Sequence, residues 1–262
     1  MNTEHKWNAE DYALNSSAQE AWANELVEKL SLNGHENVLD IGCGDGRITQ
    51  KIAQTLKGGS VIGIDQSMSM VRLAKQNFSS DNLAFIHMDA TKINLNTQLD
   101  IAFSNATLHW IADHTAVLQS LRKNLNTNAK ILFQMGGAGN ANELLESVAQ
   151  ITSSNRWKQY FNCFASPYNF CDVVDYEAWL PTYGYKAQRI ELKQKDMMHN
   201  DTEGLKGWLR TTWFPYTDQL PADNRDRFLD DLVTEYTLQH PVDSKGRTHV
   251  KMTRLEVEAF AQ

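Results

Sequence analysis

The sequence predicts an α/β fold: a mostly parallel sheet of seven strands, with an antiparallel last pair and a small helical cap. Three observations support this prediction. Short apolar runs alternate with stretches of helical periodicity, several runs end in a polar or acidic residue, and the first run leads into a glycine-rich turn. A sheet of this kind binds ligands beyond the carboxyl ends of its strands. We therefore expect the functional residues at that rim.

The glycine-rich turn follows the first strand, which covers 38–41 and includes Asp40. Gly42, Gly44 and Gly46 alternate with other residues before helical spacing begins at Ile48. Glycine permits a positive φ and close approach to a ligand, and a helix that starts there presents unpaired N–H groups. The dinucleotide fingerprint and the phosphate-loop pattern are both absent. The turn predicts a ligand site, and a glycine turn of some other α/β protein is the alternative.

Six further strands follow the glycine turn. The fourth strand of the chain ends at Asn105. The last two strands alternate apolar and charged residues, which is typical of antiparallel strands with one solvated face. Together with the first strand they indicate a Rossmann-like arrangement. The six predicted ranges are 60–65, 83–88, 100–105, 129–135, 187–198 and 249–260.

Two acidic residues follow buried strands at this rim. Asp65 ends the second strand, roughly twenty residues past the glycines, where a carboxylate can accept both hydroxyls of a ribose. The alternative is that Asp65 caps the next helix. Asp89 and Ala90 follow the third strand, and there the alternative is a turn-capping aspartate.

Aromatic residues outside the strand-helix rhythm suggest the cap, formed by segments at about 155–171 and 202–240. Trp213 and Tyr216 belong to the second segment. Packing on the outer face of the sheet is the alternative for these aromatics. Near the start, Trp7 and Tyr12 either anchor the chain or cover the ligand.

Composition narrows the function. The chain has 262 residues, 42% of them hydrophobic, which suits a single domain spanning 1–262. A net charge of −7 argues against a nucleic-acid partner. No apolar run is long enough for a membrane span, and no signal-peptide core is visible. Cys43, Cys163 and Cys171 are odd in number and lack metal-ligand spacing, so we expect no metal, reduced thiols and a cytoplasmic location. We also expect a monomer or homodimer.

The ordered set of these motifs resembles the class I S-adenosylmethionine-dependent methyltransferases. Within them it is most similar to the small-molecule group with trans-aconitate, juvenile hormone acid and malonyl-carrier-protein methyltransferases, through Leu108-His109-Trp110 and Arg254-Leu255-Glu256. The resemblance implies S-adenosylmethionine as cofactor, with Asp65 at the ribose and Asp89 and Ala90 at the adenine. The implied cofactor-binding residues are Tyr12, Asp40, Gly42, Cys43, Gly44, Gly46, Asp65, Gln66, Asp89, Ala90 and Asn105.

The acceptor is expected to be a small molecule methylated at an oxygen of a carboxylate or hydroxyl. An ionised carboxylate needs no base, whereas a hydroxyl does, and His109 is then the candidate because its ordinary pKa lies near neutrality. A local structural role is the alternative for His109. Trans-aconitate methyltransferase carries an arginine beside the cap aromatics that is missing here, which argues against a tricarboxylate substrate, and Arg210 is a nearby candidate to replace it. The candidate acceptor-binding residues are Trp110, Arg210, Trp213 and Tyr216.

Other functions stay open. Nucleic-acid amino-methyltransferases usually carry a proline pair after the fourth strand, where this chain has Ala106-Thr107, and no Pro-Cys nucleophile of the cytosine type is present. A degenerate S-adenosylmethionine-binding protein that acts through a partner is one alternative. A protein or RNA methyltransferase is another.

Overall fold

The computed structural model describes residues 17–262 and confirms the predicted fold class. The strands are β1 (Asn37–Ile41), β2 (Ser60–Asp65), β3 (Leu83–His87), β4 (Leu99–Asn105), β5 (Leu125–Gly136), β6 (Tyr185–His199) and β7 (Thr248–Ala261). The helices are α1 (Ser17–Glu28), α2 (Arg47–Thr55), α3 (Met68–Asn77), α4 (His114–Arg122), α5 (Asn142–Ser153), α6 (Lys158–Phe161), α7 (Val173–Thr182), α8 (Thr202–Thr212), α9 (Phe214–Thr217) and α10 (Ala222–Gln239).

The seven strands form one sheet in the order β3-β2-β1-β4-β5-β7-β6. β1 to β5 pair in parallel, and β7 pairs antiparallel with both β5 and β6. The carboxyl ends of β1, β2, β4 and β5 therefore meet at one rim, as the sequence predicts.

Helices bury both faces of this sheet. On one face, Leu26 of α1 and Ile52 of α2 pack with Val38 and Phe103. On the other face, Leu118 of α4 and other apolar residues of α4 and α7 pack against β1, β4, β5 and β7. Apolar side chains at helical spacing form these contacts, which hold the strand ends in place.

The two cap segments share a hydrophobic cluster of their own. Trp157 and Phe164 of the first segment pack with Trp208 and Phe228 of the second, together with α5 and the ends of β6 and β7. The first segment is tied to the rim because Asn169 N–H donates to the carbonyl of His109 at 2.8 Å. The cap aromatics thus form an apolar core next to the carboxyl ends of β4 and β5.

The predicted solvated face of the last strand is wrong. Arg254 and Glu256 of β7 are only 5% and 0% exposed. Their face is covered by α1 and by the residue after it, Lys29, whose ammonium lies 3.0 Å from Glu256, and by Arg189 and Lys193 of β6. Charge alternation therefore marks a buried network of ion pairs here.

Candidate functional site

The glycine turn lies between β1 and α2 and is held by the end of β2. The main-chain N–H groups of Gly42 and Cys43 both donate to the carbonyl of Ile64, at 2.8 and 3.0 Å. Gly42, Gly44 and Gly46 have φ values of +75°, +54° and +84°. These are conformations that residues with a Cβ rarely adopt, which accounts for the alternating glycines.

The three glycines differ in what surrounds them. A Cβ at Gly42 would lie 2.1 Å from the Thr107 side chain, and one at Gly46 would lie 2.6 Å from the ring of Phe85. A Cβ at Gly44 would meet no atom within 4 Å. Two glycines thus permit close packing within the protein, whereas Gly44 borders open space. Gly44 is the point at which a ligand can approach the turn.

Asp65 joins the second strand tip to this turn. Its Oδ2 accepts the N–H of Gly44 at 3.0 Å, and its Oδ1 accepts the N–H of Ser67 at 2.8 Å. Burial raises the pKa of Asp65, although both hydrogen bonds and His87 act in the opposite direction. The cap of α3 is Ser67, whose side chain accepts the N–H of Met70, so the capping alternative for Asp65 is wrong.

Asp40 and Cys43 lie behind the turn. The Asp40 side chain accepts the hydroxyl of Thr49 at 2.7 Å and is 2% exposed. The pKa of Asp40 is raised to about 7. Burial is the main cause and the charge of Asp65 acts in the same direction, whereas the hydrogen bond from Thr49 lowers the pKa. Cys43 packs with Val71, and burial raises the pKa of its thiol. Asp40 therefore braces α2 against β1, and Cys43 presents its main chain to the turn.

Three more residues expected at the cofactor, Gln66, Asp89 and Ala90, lie just after β2 and β3. The Asp89 side chain caps the short 3-10 helix Ala90–Lys92 by accepting the N–H and hydroxyl of Thr91, both at 2.8 Å. Ala90 is buried, and Gln66 is exposed while its carbonyl contacts the ring of His87. Asp89 thus has the turn-capping geometry that the sequence left open.

The end of β4 carries a strained turn. Ala106 has a φ of +55°, and its N–H donates to the carbonyl of Gln134. Thr107 then donates its hydroxyl to the carbonyl of Gly42 at 3.2 Å, which connects this turn to the glycine turn. The side-chain Oδ1 of Asn105 is buried without a hydrogen-bond partner. A buried acceptor left open at a rim indicates a place for a ligand's donor.

His109 lies in the 3-10 helix Leu108–Trp110 that follows. Its Nδ1 accepts the N–H of Gly136 at 3.3 Å. Burial, followed by the positive charges of Arg254 and His114, lowers its pKa well below the ordinary value. A neutral ring that accepts at Nδ1 carries its proton on Nε2. The catalytic role of His109 stays a prediction, and in this arrangement the ring is a donor.

The aromatic residues expected at the acceptor meet in one assembly. Trp110 stacks on Phe214 with centroids 5.6 Å apart and contacts Tyr168 at 4.9 Å. Trp213 and Tyr216 are each 6% exposed. Arg210 is exposed on α8, outside the buried face of that helix. The assembly gives Trp213 and Tyr216 a packing role, and the predicted contacts of these residues with an acceptor stay predictions.

A cavity adjoins the end of β4 on the side of the antiparallel strands. It is small, with about 20 Å³ of space for a water-sized molecule, and Asn105 and Ala106 form one wall. The other walls are Trp22, Met197, Met252 and Arg254. Sequence reasoning did not assign these four residues to the site. The sequence signal for Arg254 was a charged residue in an alternating strand, and that pattern predicted exposure to solvent instead of a place in the site.

Two predictions lie outside the described residues: the suggested roles of Trp7 and Tyr12. Within 17–262, no group of three or more His, Cys, Asp or Glu side chains is placed to hold a metal ion. The helices in that same range include none with the length and apolar character needed to cross a membrane.

Comparisons with known proteins agree with one another. Residues 32–199 match the family described as "Methyltransferase domain". Relatives include the uncharacterized methyltransferase C70.08c of Schizosaccharomyces pombe, 26% identical over 79% of this chain and 80% of its own. A trans-aconitate 2-methyltransferase of Methylobacterium radiotolerans is 26% identical over 97% of both chains.

One solved structure similar in fold contains a ligand. It is a Haemonchus contortus phosphoethanolamine N-methyltransferase 2 in complex with phosphomonomethylethanolamine and S-adenosylhomocysteine. It superposes with a TM-score of 0.59 at 16% identity, covering 92% of this chain and 52% of the other. At this identity the likeness establishes the fold.

Proposed function

The chain belongs to the methyltransferase domain family, and on that premise we propose that it transfers a methyl group from S-adenosylmethionine to a small molecule. We propose an oxygen of a carboxylate or hydroxyl as the accepting atom. The observation that carries the proposal is the joint between the two strand tips, where Asp65 accepts the N–H of Gly44 at 3.0 Å beside open space.

The chemistry of this joint suits the proposed cofactor. Each oxygen of Asp65 accepts one main-chain N–H, and a carboxylate has about four acceptor sites, so sites remain for both ribose hydroxyls. The open face of Gly44 accommodates close approach of the ligand. The buried Oδ1 of Asn105 is a suitable acceptor for the ammonium group of the cofactor's amino-acid end. Asp89 and Ala90 are the proposed contacts of the adenine.

When bound, the cofactor supplies an electrophilic methyl group on a sulfonium. The protein's part is positioning, because in-line displacement depends on the orientation of the acceptor oxygen. Asn105 and Ala106 line the cavity, and the next residue, Thr107, donates its hydroxyl to the carbonyl of Gly42, so a molecule in the cavity lies next to the proposed cofactor site. The aromatic assembly around Trp110 excludes water on the cap side.

A carboxylate acceptor agrees best with the state of His109. A carboxylate is ionised at neutral pH and requires no base, whereas the lowered pKa of His109 and its acceptor role at Nδ1 leave this ring poorly suited to remove a proton. The relative named for trans-aconitate supports the same choice.

Calorimetry with S-adenosylhomocysteine tests the cofactor assignment. We expect the wild type to bind and Asp65→Ala to bind more weakly by about 1–3 kcal/mol, since buried hydroxyls lose a charged acceptor. Asp223→Ala, at an exposed position of α10, is the matched control. Equal affinity of Asp65→Ala and wild type would contradict the ribose role.

Transfer of labelled methyl from S-adenosylmethionine to a fractionated small-molecule extract tests the reaction. We expect label in an acid-containing fraction that depends on Asp65. Label found only in added protein or RNA would reject a small-molecule acceptor and favour the alternative kinds of methyltransferase.

A further inference from the structure

A buried histidine at the start of α4 has no part in the proposed function so far. His114 is 2% exposed, and its Nδ1 lies 2.9 Å from the hydroxyl of Tyr176 in α7, which is 0% exposed. The same hydroxyl lies 3.6 Å from the Sδ of Met135, a weaker acceptor. Breaking the bond between His114 and Tyr176 would leave two polar atoms buried without a good partner. The pair therefore holds α4 and α7 in a fixed relation.

The partners of the His114 ring indicate where its proton lies. Burial lowers the pKa of His114, and the main-chain carbonyls of Leu108 and Ile111 oppose this effect because they accept from the ring. The Sγ of Cys171 lies 3.6 Å from Nδ1, and burial raises the pKa of this thiol to about 11, so it keeps its proton. A neutral imidazole has one donor and one acceptor nitrogen. All partners are satisfied when Nε2–H faces the carbonyls and Nδ1 accepts the hydroxyl of Tyr176.

The two carbonyls belong to the loop 108–111, which carries two residues predicted at the acceptor. Within the 3-10 helix Leu108–Trp110, the carbonyl of His109 accepts the N–H of Asn169 at 2.8 Å. The ring of Trp110 contacts Tyr168 with centroids 4.9 Å apart. The loop is thus held on one side by the first cap segment and on the other side by His114.

Both supports of the loop come from one stretch of the chain. The first cap segment extends to Cys171, and Asp172 then caps α7, which contains Tyr176. The carbonyl of Cys171 also accepts the N–H of Ala138, just after β5, at 2.9 Å. Residues 168–176 therefore contact the ring of Trp110, the main chain of the loop and the side chain of His114. A displacement of α7 would be transmitted to the loop.

We propose that His114 is a positioning residue for methyl transfer: with Tyr176 it holds the loop 108–111 against α7, so that His109 and Trp110 keep fixed places beside the acceptor. The inference rests on the proposed function for its reaction, whereas the connection between loop and helix can be tested separately. Asp65, the proposed ribose ligand, lies on another strand, at the end of β2. We therefore expect His114 to affect the acceptor and not the affinity for the cofactor.

Amide hydrogen exchange of the full chain tests the connection without turnover. Tyr176→Phe removes the hydroxyl and keeps the ring. Tyr185→Phe is the matched control, because Tyr185 is 1% exposed and its hydroxyl donates to the carbonyl of Leu118, within α4 and outside the loop, at 2.8 Å. Relative to α10, we expect the N–H of Asn169 to exchange at least about tenfold faster in Tyr176→Phe and less than about twofold faster in the control.

Labelled methyl transfer to the acid-containing fraction tests the effect on the reaction. Serial dilution of that fraction gives the saturating rate and the half-saturating amount for each variant. We expect Tyr176→Phe to lower the saturating rate about fivefold and His114→Leu about twentyfold, because a displaced loop misorients the acceptor. His114→Gln supplies both a donor and an acceptor and should stay within about threefold of wild type. Affinity for S-adenosylhomocysteine should change less than about twofold in every variant.

A double variant connects the two residues. If they act through one hydrogen bond, Tyr176→Phe added to His114→Leu lowers the saturating rate no further than His114→Leu alone. Additive losses contradict a shared role.

Three other results overturn the inference while the proposed function stands. They are equal exchange and equal transfer in Tyr176→Phe and Tyr185→Phe, a loss of S-adenosylhomocysteine affinity as large as the loss of rate, and His114→Gln as slow as His114→Leu. If His114→Leu does not fold, Tyr176→Phe decides by the same comparisons. Wild-type protein that transfers no label to small molecules rejects the proposed function, and the exchange comparison then decides the connection between loop and helix by itself.

Discussion

Two buried carboxylates at the rim of the sheet show how differently its two halves are built. Asp40, beneath the glycine turn, and Glu256, on β7, are 2% and 0% exposed. Burial raises the pKa of Asp40 to about 7. Burial acts on Glu256 in the same direction, but hydrogen bonds from Arg189 and Lys29 and the charges of Lys29 and Lys193 bring its pKa down to about 2.

The difference lies in the neighbours and not in the burial. Asp40 faces a hydroxyl and a second carboxylate, Asp65, whereas Glu256 faces three cations. The turn between β1 and β2 is therefore rich in negative charge, which suits a cationic sulfonium ligand. At the antiparallel end the charges are balanced, because Lys29, Arg189 and Lys193 also contact the carboxylates of Glu25, Glu191 and Glu258. The two halves of the sheet thus treat a buried carboxylate in opposite ways.

The largest expected effect is at Glu256. Glu256→Gln leaves Lys29, Arg189 and Lys193 without their shared carboxylate, and we expect a loss of about 3–5 kcal/mol in the free energy of unfolding. Urea denaturation at pH 7 measures it. Glu191→Gln is the control, because Glu191 contacts two of the same cations from a more exposed position. We expect less than about 1 kcal/mol there.

The same residue predicts acid sensitivity. The folded pKa of Glu256 lies below its ordinary value of 4.5, so its stabilising contribution is present above pH 4.5 and is lost as the pH falls toward 2. Glu256→Gln should therefore lose less stability than wild type over that interval. Parallel acid titrations of the two proteins would contradict the assignment.

The glycines of the turn give the next effect. Gly46→Ala places a Cβ 2.6 Å from Phe85 at a φ of +84°, and we expect a loss of about 2–3 kcal/mol in unfolding free energy. Gly44→Ala meets no atom and should lose about 1 kcal/mol from its φ alone. It should nevertheless weaken S-adenosylhomocysteine binding more than tenfold, about 1.4 kcal/mol. Equal effects of both variants on stability and binding would contradict this division.

Asp40 should show the opposite pH dependence to Glu256. Its folded pKa is raised, so the protonated form stabilises the fold fully below the ordinary value of 3.8, and this contribution is lost as the pH rises to about 7. Asp40→Asn lacks the titration. Its unfolding free energy relative to wild type should improve by on the order of 4 kcal/mol between pH 4 and pH 8. Asp81→Asn, at an exposed position, should show no such trend.

The smallest expected effect is at His109. Asn in its place keeps an acceptor near the N–H of Gly136, and we expect His109→Asn to lower kcat less than tenfold, about 1.4 kcal/mol. The pH dependence of kcat/KM between 6 and 8 should be the same in both proteins. A loss of a thousandfold or more together with a missing titration near neutrality would make His109 a general base after all.

Local patterns predicted the first half of the sheet well. β1 to β4 and the glycine turn depend on short apolar runs and on residue types required by φ, and their predicted bounds lie within two residues of the observed ones. β5 was predicted from Ala129, but it begins at Leu125. Leu125 continues the helical spacing of Leu121, although α4 ends at Arg122. The apolar pattern alone cannot show where α4 ends and β5 begins, because Leu125 fits both the helix and the strand.

The antiparallel end could not be predicted because its environment comes from distant parts of the chain. Arg254 and Glu256 are buried by Trp22, Lys29 and β6, and sequence spacing carries no information on those contacts. The same holds for His109, whose protonation depends on Gly136 and Arg254. Where a charge lies is a local property of the sequence, whereas whether it is buried is not.

The pairing of Trp22 with Arg254 has a consequence for how such proteins diverge. Both residues lie outside 32–199, the part of the chain shared with the family, yet they meet at the wall of the cavity. The common segment holds the glycine turn and the cavity residues Asn105, Ala106 and Met197, while the flanking segments add Trp22, Met252 and Arg254. If the cavity receives the acceptor, substitutions in the flanking segments can change which acceptor fits while the glycine turn stays the same.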